Sequence, residues 1–288
     1  MLRPAPRREG AAAASGNEVG AIRRMTSTMN YWVRGSGPPI LFIHGIPTAG
    51  RLWDFVVERL QDRYTCVVVD LPGFGASPPL HDGSRDPRRL AEEMDILRQD
   101  LGFASWDVAG HDAGATIAVH LATAYPERTR RLALLSPPVF PEFKPPWFFH
   151  LLRTPVGGDL LAPVMVLLIW NGGIQSIIER QDPRLPEILE SFRKPFRGWA
   201  GARRLTWLVR WGSPGEVLGR TAALLCKISA PTLILHGERD GAIPKSFAQR
   251  ASETIPVAQV QFFDTGHFLP LNIPETLADL LGTFFGSG

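Results

Sequence analysis

The segment Gly110-His111-Asp112-Ala113-Gly114 places a carboxylate between two glycines, after the short apolar run Val108-Ala109 and before Ala115, Ala118 and Ala122 at helical spacing. Glycines at that interval permit a sharp strand-to-helix turn that holds its central side chain clear of the sheet. Turns of this shape usually present a serine, and here the residue is Asp112. The change alters which bonds can be attacked. A carboxylate adding to an ester carbonyl would give an anhydride, uphill from the ester, whereas displacement at a saturated carbon gives an ordinary ester.

Two further groups follow in an order that suits this chemistry. Asp240 lies in a loop just after the run Pro231–Gly237, and His267 lies in a loop after Val260–Asp264. Alone, Asp240 could cap its turn and His267 could be a surface polar group. Together the chain order is nucleophile, acid, histidine, each at the end of an expected strand. His44-Gly45-Ile46-Pro47 follows the apolar run Ile40–Ile43, so the main-chain N–H groups of Ile46 and Ala113 are expected to converge beside the Asp112 carboxylate as an oxyanion hole. His44 itself is read as structural.

Positioning these groups requires a sheet whose strands all end on one side. β-Branched runs recur at 40–44, 65–70, 106–111, 131–136, 231–237 and 260–264, with an earlier one at 28–35. Most are followed by a Gly- or Pro-rich turn and then a helical pattern. Such alternation predicts a mostly parallel sheet covered by helices on both faces. Residues 138–222 break the pattern: they hold five of the eight tryptophans and show no clear strand. The expected organisation is an α/β core at 18–137 and 223–288, a helical cap at 138–222 inserted before the last two strands, and a disordered tail at 1–17. Met25 and Met29 are alternative starts.

At 288 residues and 44% hydrophobic content the chain can bury a sizeable core. Its formal charge of +3 equals the excess of Arg3, Arg7, Arg8, Arg23 and Arg24 over Glu9 and Glu18, so the remainder is neutral and gives no basic face for nucleic acid. The N-terminus lacks the apolar stretch of a signal peptide. The longest apolar run, Leu160–Trp170, is well short of the ~20 residues of a membrane span and is expected to be a buried or cleft-lining helix. Cys66 and Cys226 are expected to be buried thiols in a reducing cytoplasm. Neither a metal-ligand cluster nor a phosphate-binding glycine loop is visible, so no cofactor is expected. The expected partners are a small-molecule substrate and water, without nucleic acid or membrane; the oligomeric state is open.

Across residues 28–285, the ordered motifs HGIPTAGRLW, DLPGFGAS, GHDAGA, HGERD and GHFLPLNIPE resemble the branch of the α/β-hydrolases that includes haloalkane dehalogenases and epoxide hydrolases. The resemblance implies that Asp112 forms an alkyl-enzyme ester and that His267, oriented by Asp240, activates the water that hydrolyses it. From its residues alone, Asn272-Ile273-Pro274-Glu275 reads as a helix start, with Asn272 as cap and Pro274 at the first position.

The chain departs from that pattern at the leaving group. Dehalogenases of this branch hold halide with a tryptophan after the nucleophile or an asparagine after the His-Gly; here these positions are Ala113 and Ile46. Fluoroacetate-type enzymes carry arginines where this chain has Ala113 and Thr116. Epoxide hydrolases use cap tyrosines, yet Tyr31, Tyr64 and Tyr125 all lie outside 138–222. The remaining cap donors are His150 and indole N–H groups, Trp147 and Trp170 foremost. The resulting expectation is hydrolysis of an apolar substrate at an sp³ carbon in haloalkane dehalogenase fashion. Alternatives are epoxide hydrolysis with a non-tyrosine donor, a non-hydrolytic lyase or cyclase, and a non-catalytic ligand binder.

Overall fold

The computed structural model describes residues 24, 25, 29–145, 147–174, 177–210 and 213–287. The tail expected over 1–17 lies outside them. Eight strands form one sheet: β1 (Arg24–Met25), β2 (Asn30–Arg34), β3 (Pro39–Ile43), β4 (Thr65–Val69), β5 (Trp106–His111), β6 (Thr129–Leu135), β7 (Thr232–Gly237) and β8 (Ala258–Phe263). Their spatial order is β1-β2-β4-β3-β5-β6-β7-β8, antiparallel at β1–β2 and β2–β4 and parallel beyond. The seven runs read from the sequence correspond to β2–β8. The two-residue β1 is too short to leave a periodic signal.

Burial explains why the central strands are so apolar. Every residue of β5 and β7 is buried, because helices cover both faces there, while β8 at the sheet edge keeps Gln259 and Gln261 and is largely open. The core helices are α1 (Asp54–Leu60), α2 (Pro87–Asp100), α3 (Ala113–Ala124), α9 (Lys245–Thr254), α10 (Leu269–Asn272) and α11 (Pro274–Gly286). α1 packs with α11, and α2 packs with α3. Asp86 caps α2 by accepting the Arg88 N–H at 3.0 Å, with Pro87 in the first helical position where its missing N–H costs nothing.

Between β6 and β7 come five helices: α4 (Trp147–Arg153), α5 (Gly157–Leu168), α6 (Leu185–Arg193), α7 (Gly198–Val209) and α8 (Pro214–Ala222). A π-helical turn, Ile169–Ile174, follows α5. Helix α5 is only half what its composition suggested. Ala162, Met165 and Val166 are buried and Leu168 lines a cavity, but Leu160, Leu161, Val164 and Leu167 form an exposed stripe, with Leu160 60% exposed. A helix apolar all round has more such faces than one neighbour can cover. No described helix is long and apolar enough to cross a membrane.

Two other expectations are corrected. Cys226 is exposed; only Cys66 is buried, which pushes its thiol up to about 12. Asn272 ends α10 instead of capping α11, whose N-cap is Ile273, with Pro274 in the first helical position.

Candidate active site

The sheet order reverses between β3 and β5: the chain leaves β3 for β4 on one side and enters β6 from β5 on the other. Loops at the carboxyl ends of two such strands diverge and leave a crevice. Ile46 follows β3 and Asp112 follows β5, so both border it. Asp112 has φ 53° and ψ −123°, a left-handed backbone that lifts its side chain off the strand. The turn closes only with glycines around it. A Cβ on Gly110 would stand 2.4 Å from the Gly114 carbonyl oxygen, and one on Gly45 would stand 2.4 Å from the Asp112 Cβ.

The two carboxylate oxygens of Asp112 are not equivalent. Oδ1 accepts the Ile46 N–H at 2.8 Å, while Oδ2 lies 3.9 Å from His267 Nε2, beyond direct hydrogen-bond reach. On its other side the His267 ring donates from Nδ1 to Asp240 Oδ2 at 2.8 Å. Asp240 Oδ1 in turn accepts the Ala242 and Ile243 N–H groups at 2.8 and 2.9 Å. Sequence-distant Asp112, Asp240, His267 and the Ile46 N–H therefore meet in one place. His111 lies beneath, donating Nε2–H to the His267 carbonyl at 2.9 Å, and His44 gives Nδ1–H to the Gly45 carbonyl while Nε2 accepts the Leu71 N–H.

Electrostatics separate these groups. Burial lifts the Asp112 carboxyl above its ordinary value, against the pull of His267 and the N–H groups of Ala113 and Ile46. Burial also opposes the charge on His267, but the hydrogen bond and charge of Asp240, with Asp112 adding, outweigh it and raise the imidazole. Asp240 is buried too, and its hydrogen bond with His267 nevertheless holds it well below the carboxylate range. Burial and the neighbouring His267 drive His111 down to about 3, so it stays neutral.

Above this cluster is a cavity of about 590 Å³ roofed by the inserted helices. Its lining is apolar, including Leu90, Ile117, Phe143, Phe149, Met165 and Leu208, apart from Asp112, His267, Thr116, Arg85 and Arg153. The expected donors fare poorly. His150 is exposed and does not line the cavity, because α4 turns Phe149 inward instead. Trp170 is buried and stacked on Phe196, outside the lining, with its indole N–H unpartnered. The Trp147 side chain lies outside the described residues. Among the described residues no group of three His, Cys, Asp or Glu forms a metal site.

Glu179, which nothing in the local pattern marks, ties the insertion to the site. It accepts from Thr265 Oγ1 and the Gly266 N–H at 3.1 Å each and from Arg239 Nη2 at 3.0 Å, gripping the loops that carry His267 and Asp240. Its own N–H goes to Asn272 Oδ1 at 2.9 Å, which is the role Asn272 has in place of capping.

This is the α/β-hydrolase fold, and residues 38–163 match the family model described as alpha/beta hydrolase fold. The chain is 28% identical to a cis-3-alkyl-4-alkyloxetan-2-one decarboxylase of Shewanella oneidensis, over 86% of this chain and 82% of that one. It is 26% identical to a fluoroacetate dehalogenase of Burkholderia sp, over 89% and 90% of the two chains. A solved structure provisionally assigned as an epoxide hydrolase, from Pseudomonas aeruginosa, superimposes with a TM-score of 0.78 at 22% identity, covering 96% of this chain and 98% of that one.

Proposed function

We propose that this chain opens an electrophilic sp³ carbon of a largely apolar substrate through an ester on Asp112, as haloalkane dehalogenase-like enzymes do. The observation that carries the reading is the inequality of the Asp112 oxygens. Oδ1 sits on a main-chain N–H, where the ester carbonyl oxygen and later the oxyanion belong, and Oδ2 faces the cavity and His267. Oδ2 displaces the leaving group and the carbon–leaving-group bond breaks. Neutral His267 then takes a proton from water, whose oxygen adds to the Asp112 carboxyl carbon; collapse of the tetrahedral species expels the alcohol and restores the carboxylate. A panel of haloalkanes and epoxides with His267→Gln tests this by intact mass: an alkyl adduct on Asp112 is expected, and turnover without any adduct overturns it.

A second reading is a non-hydrolytic one, in which Asp112 and His267 act as an acid–base pair for elimination or decarboxylation. Two observations favour it: the likeness to an oxetanone decarboxylase, and a cavity lining with neither tryptophan, asparagine nor tyrosine among the described residues. With β-lactones added to the panel, it predicts that the parent chain releases an alkene and carbon dioxide and that the His267→Gln protein stays unmodified.

In the hydrolytic reading His267 must be neutral, and its raised pKa sets the acid limb. Activity is expected to rise with pH through a midpoint above the ordinary histidine value of 6.5. Asp240→Asn removes the hydrogen-bonded charge that raises His267, so the midpoint should fall by about one unit or more. A pH profile of kcat/KM with an unmoved midpoint would count against this assignment.

Glu179→Ala loosens both loops without touching substrate. Turnover should fall by about tenfold, from misplacement of His267, with Tm little changed. Steady-state kinetics beside a thermal melt distinguish this from general destabilisation.

A further inference from the structure

Beside the reaction cavity is a second hollow of about 690 Å³, between the loop that precedes α2 and helix α7. Its polar lining is mostly cationic: Arg85, Arg203, Arg204 and Arg210, with His81, against the single carboxylate Asp159. That carboxylate is already engaged, accepting from Thr206 Oγ1 at 2.7 Å and pairing with Arg210 at 3.0 Å. Arg203 and Arg204 have no carboxylate within ion-pair distance among the described residues. The two hollows meet at Arg85, which lines both.

Arg85 differs from three arginines packed on the core. Arg98 meets Asp95, Arg89 meets Glu93 and Arg130 meets Asp107. Arg85 meets no carboxylate: it donates to the Trp207 carbonyl, lies 3.9 Å over the Trp207 ring, and leaves a buried Nε–H without a partner. Burial alone, with no charge to oppose it, brings its guanidinium down to about 10. A latch between core and insertion would account for the carbonyl and ring contacts. It would leave the Nε proton and the charge unmatched, a cost that an incoming anion would remove.

We propose that the substrate is an anionic amphiphile: its apolar body fills the cavity over Asp112 and its anionic group, a carboxylate or a phosphate, is held by Arg85 at the mouth of the arginine-lined hollow. The assignment rests on the reading of the Asp112 cavity as the reaction site. It goes further by stating what the far end of the substrate carries. Guanidinium recognises both anions through paired N–H donors, so the two are separated by experiment.

Binding can be measured without chemistry, which keeps this proposal apart from the one it rests on. Decanoate, decyl phosphate and decanol, none with a leaving group, are titrated calorimetrically into the full chain. At least one anion should bind about tenfold or more tighter than decanol, and which one does so identifies the head group. Arg85→Gln should erase that advantage, and Arg204→Gln should diminish it. Should Arg85→Gln fail to fold, the advantage of the anion must still shrink in Arg204→Gln and on raising ionic strength. Equal affinity for the three ligands, or an anion preference that survives Arg85→Gln, overturns the proposal. Anion preference in a chain that forms no Asp112 adduct overturns the ester reading instead.

Discussion

Asp112→Asn is expected to fold, to melt no lower than the parent chain, and to lose turnover by at least about 10⁴-fold. Asparagine is isosteric, tolerates positive φ, and keeps an oxygen for the Ile46 N–H, so the turn and the cavity survive. On the proposed ester route the substitution removes the nucleophile, because an amide cannot displace a leaving group from saturated carbon. Stability moves the other way. The folded-state pKa of Asp112 lies above its unfolded value, so near neutral pH the ionised carboxylate is worse off folded than unfolded, and that penalty grows as pH rises between the two values. Replacing it with a neutral group removes the penalty, by about 1 kcal/mol. Turnover by Asp112→Asn equal to that of the parent would sink both the ester and the acid–base readings.

Gly114→Ala carries the largest expected cost in stability. A Cβ there would stand 2.3 Å from the Ile43 carbonyl oxygen and 2.6 Å from that of His44. Neither can retreat, since Ile43 is paired with Gly110 in the sheet, and Gly110 is itself pressed against the Gly114 carbonyl. Opening this junction means separating β3, β5 and α3 where the Ile46 N–H and the Asp112 carboxylate meet. A loss of about 3 kcal/mol is expected, or a Tm lower by about 10 °C. Gly83→Ala is the control: unlike Gly114 it has positive φ, but a Cβ there meets nothing within 4 Å, so about 1 kcal/mol of backbone strain is all it should lose. A differential scan in which the two substitutions melt together would refute the packing account.

The parts of this molecule that were readable in its sequence are those set by local pattern. Buried strands such as Pro39–Ile43 announce themselves as continuous apolar runs, and the glycines around Asp112 mark a turn that side chains cannot enter. The convergence of Asp112, Asp240 and His267 followed from chain order and strand ends. Long-range contacts left no such trace. Glu179 acts through loops some sixty and ninety residues away, so nothing around it in the chain signals its role. Asn272 sits before Ile273-Pro274 as a cap would, but its amide is drawn off to Glu179 and Thr265. His150 and α5 show the limit of composition: an apolar neighbourhood does not say which side of a helix faces inward, and here Phe149 points into the cavity while Leu160 points to water. Arg85 was invisible for a similar reason, since an arginine without a carboxylate is defined only by what surrounds it in space.

On the proposed ester route, the inequality of the two Asp112 oxygens would also give the protein an isotopic memory. In the ester route the alcohol leaves with Oδ2, so in water enriched with heavy oxygen the first product should carry the light atom of the protein and only later products the heavy one. Oδ1, held by the Ile46 N–H throughout, never enters product. Labelling of the Asp112 peptide should therefore stop at one heavy atom per chain however many cycles run, and a second would mean that the carboxylate turns over between cycles.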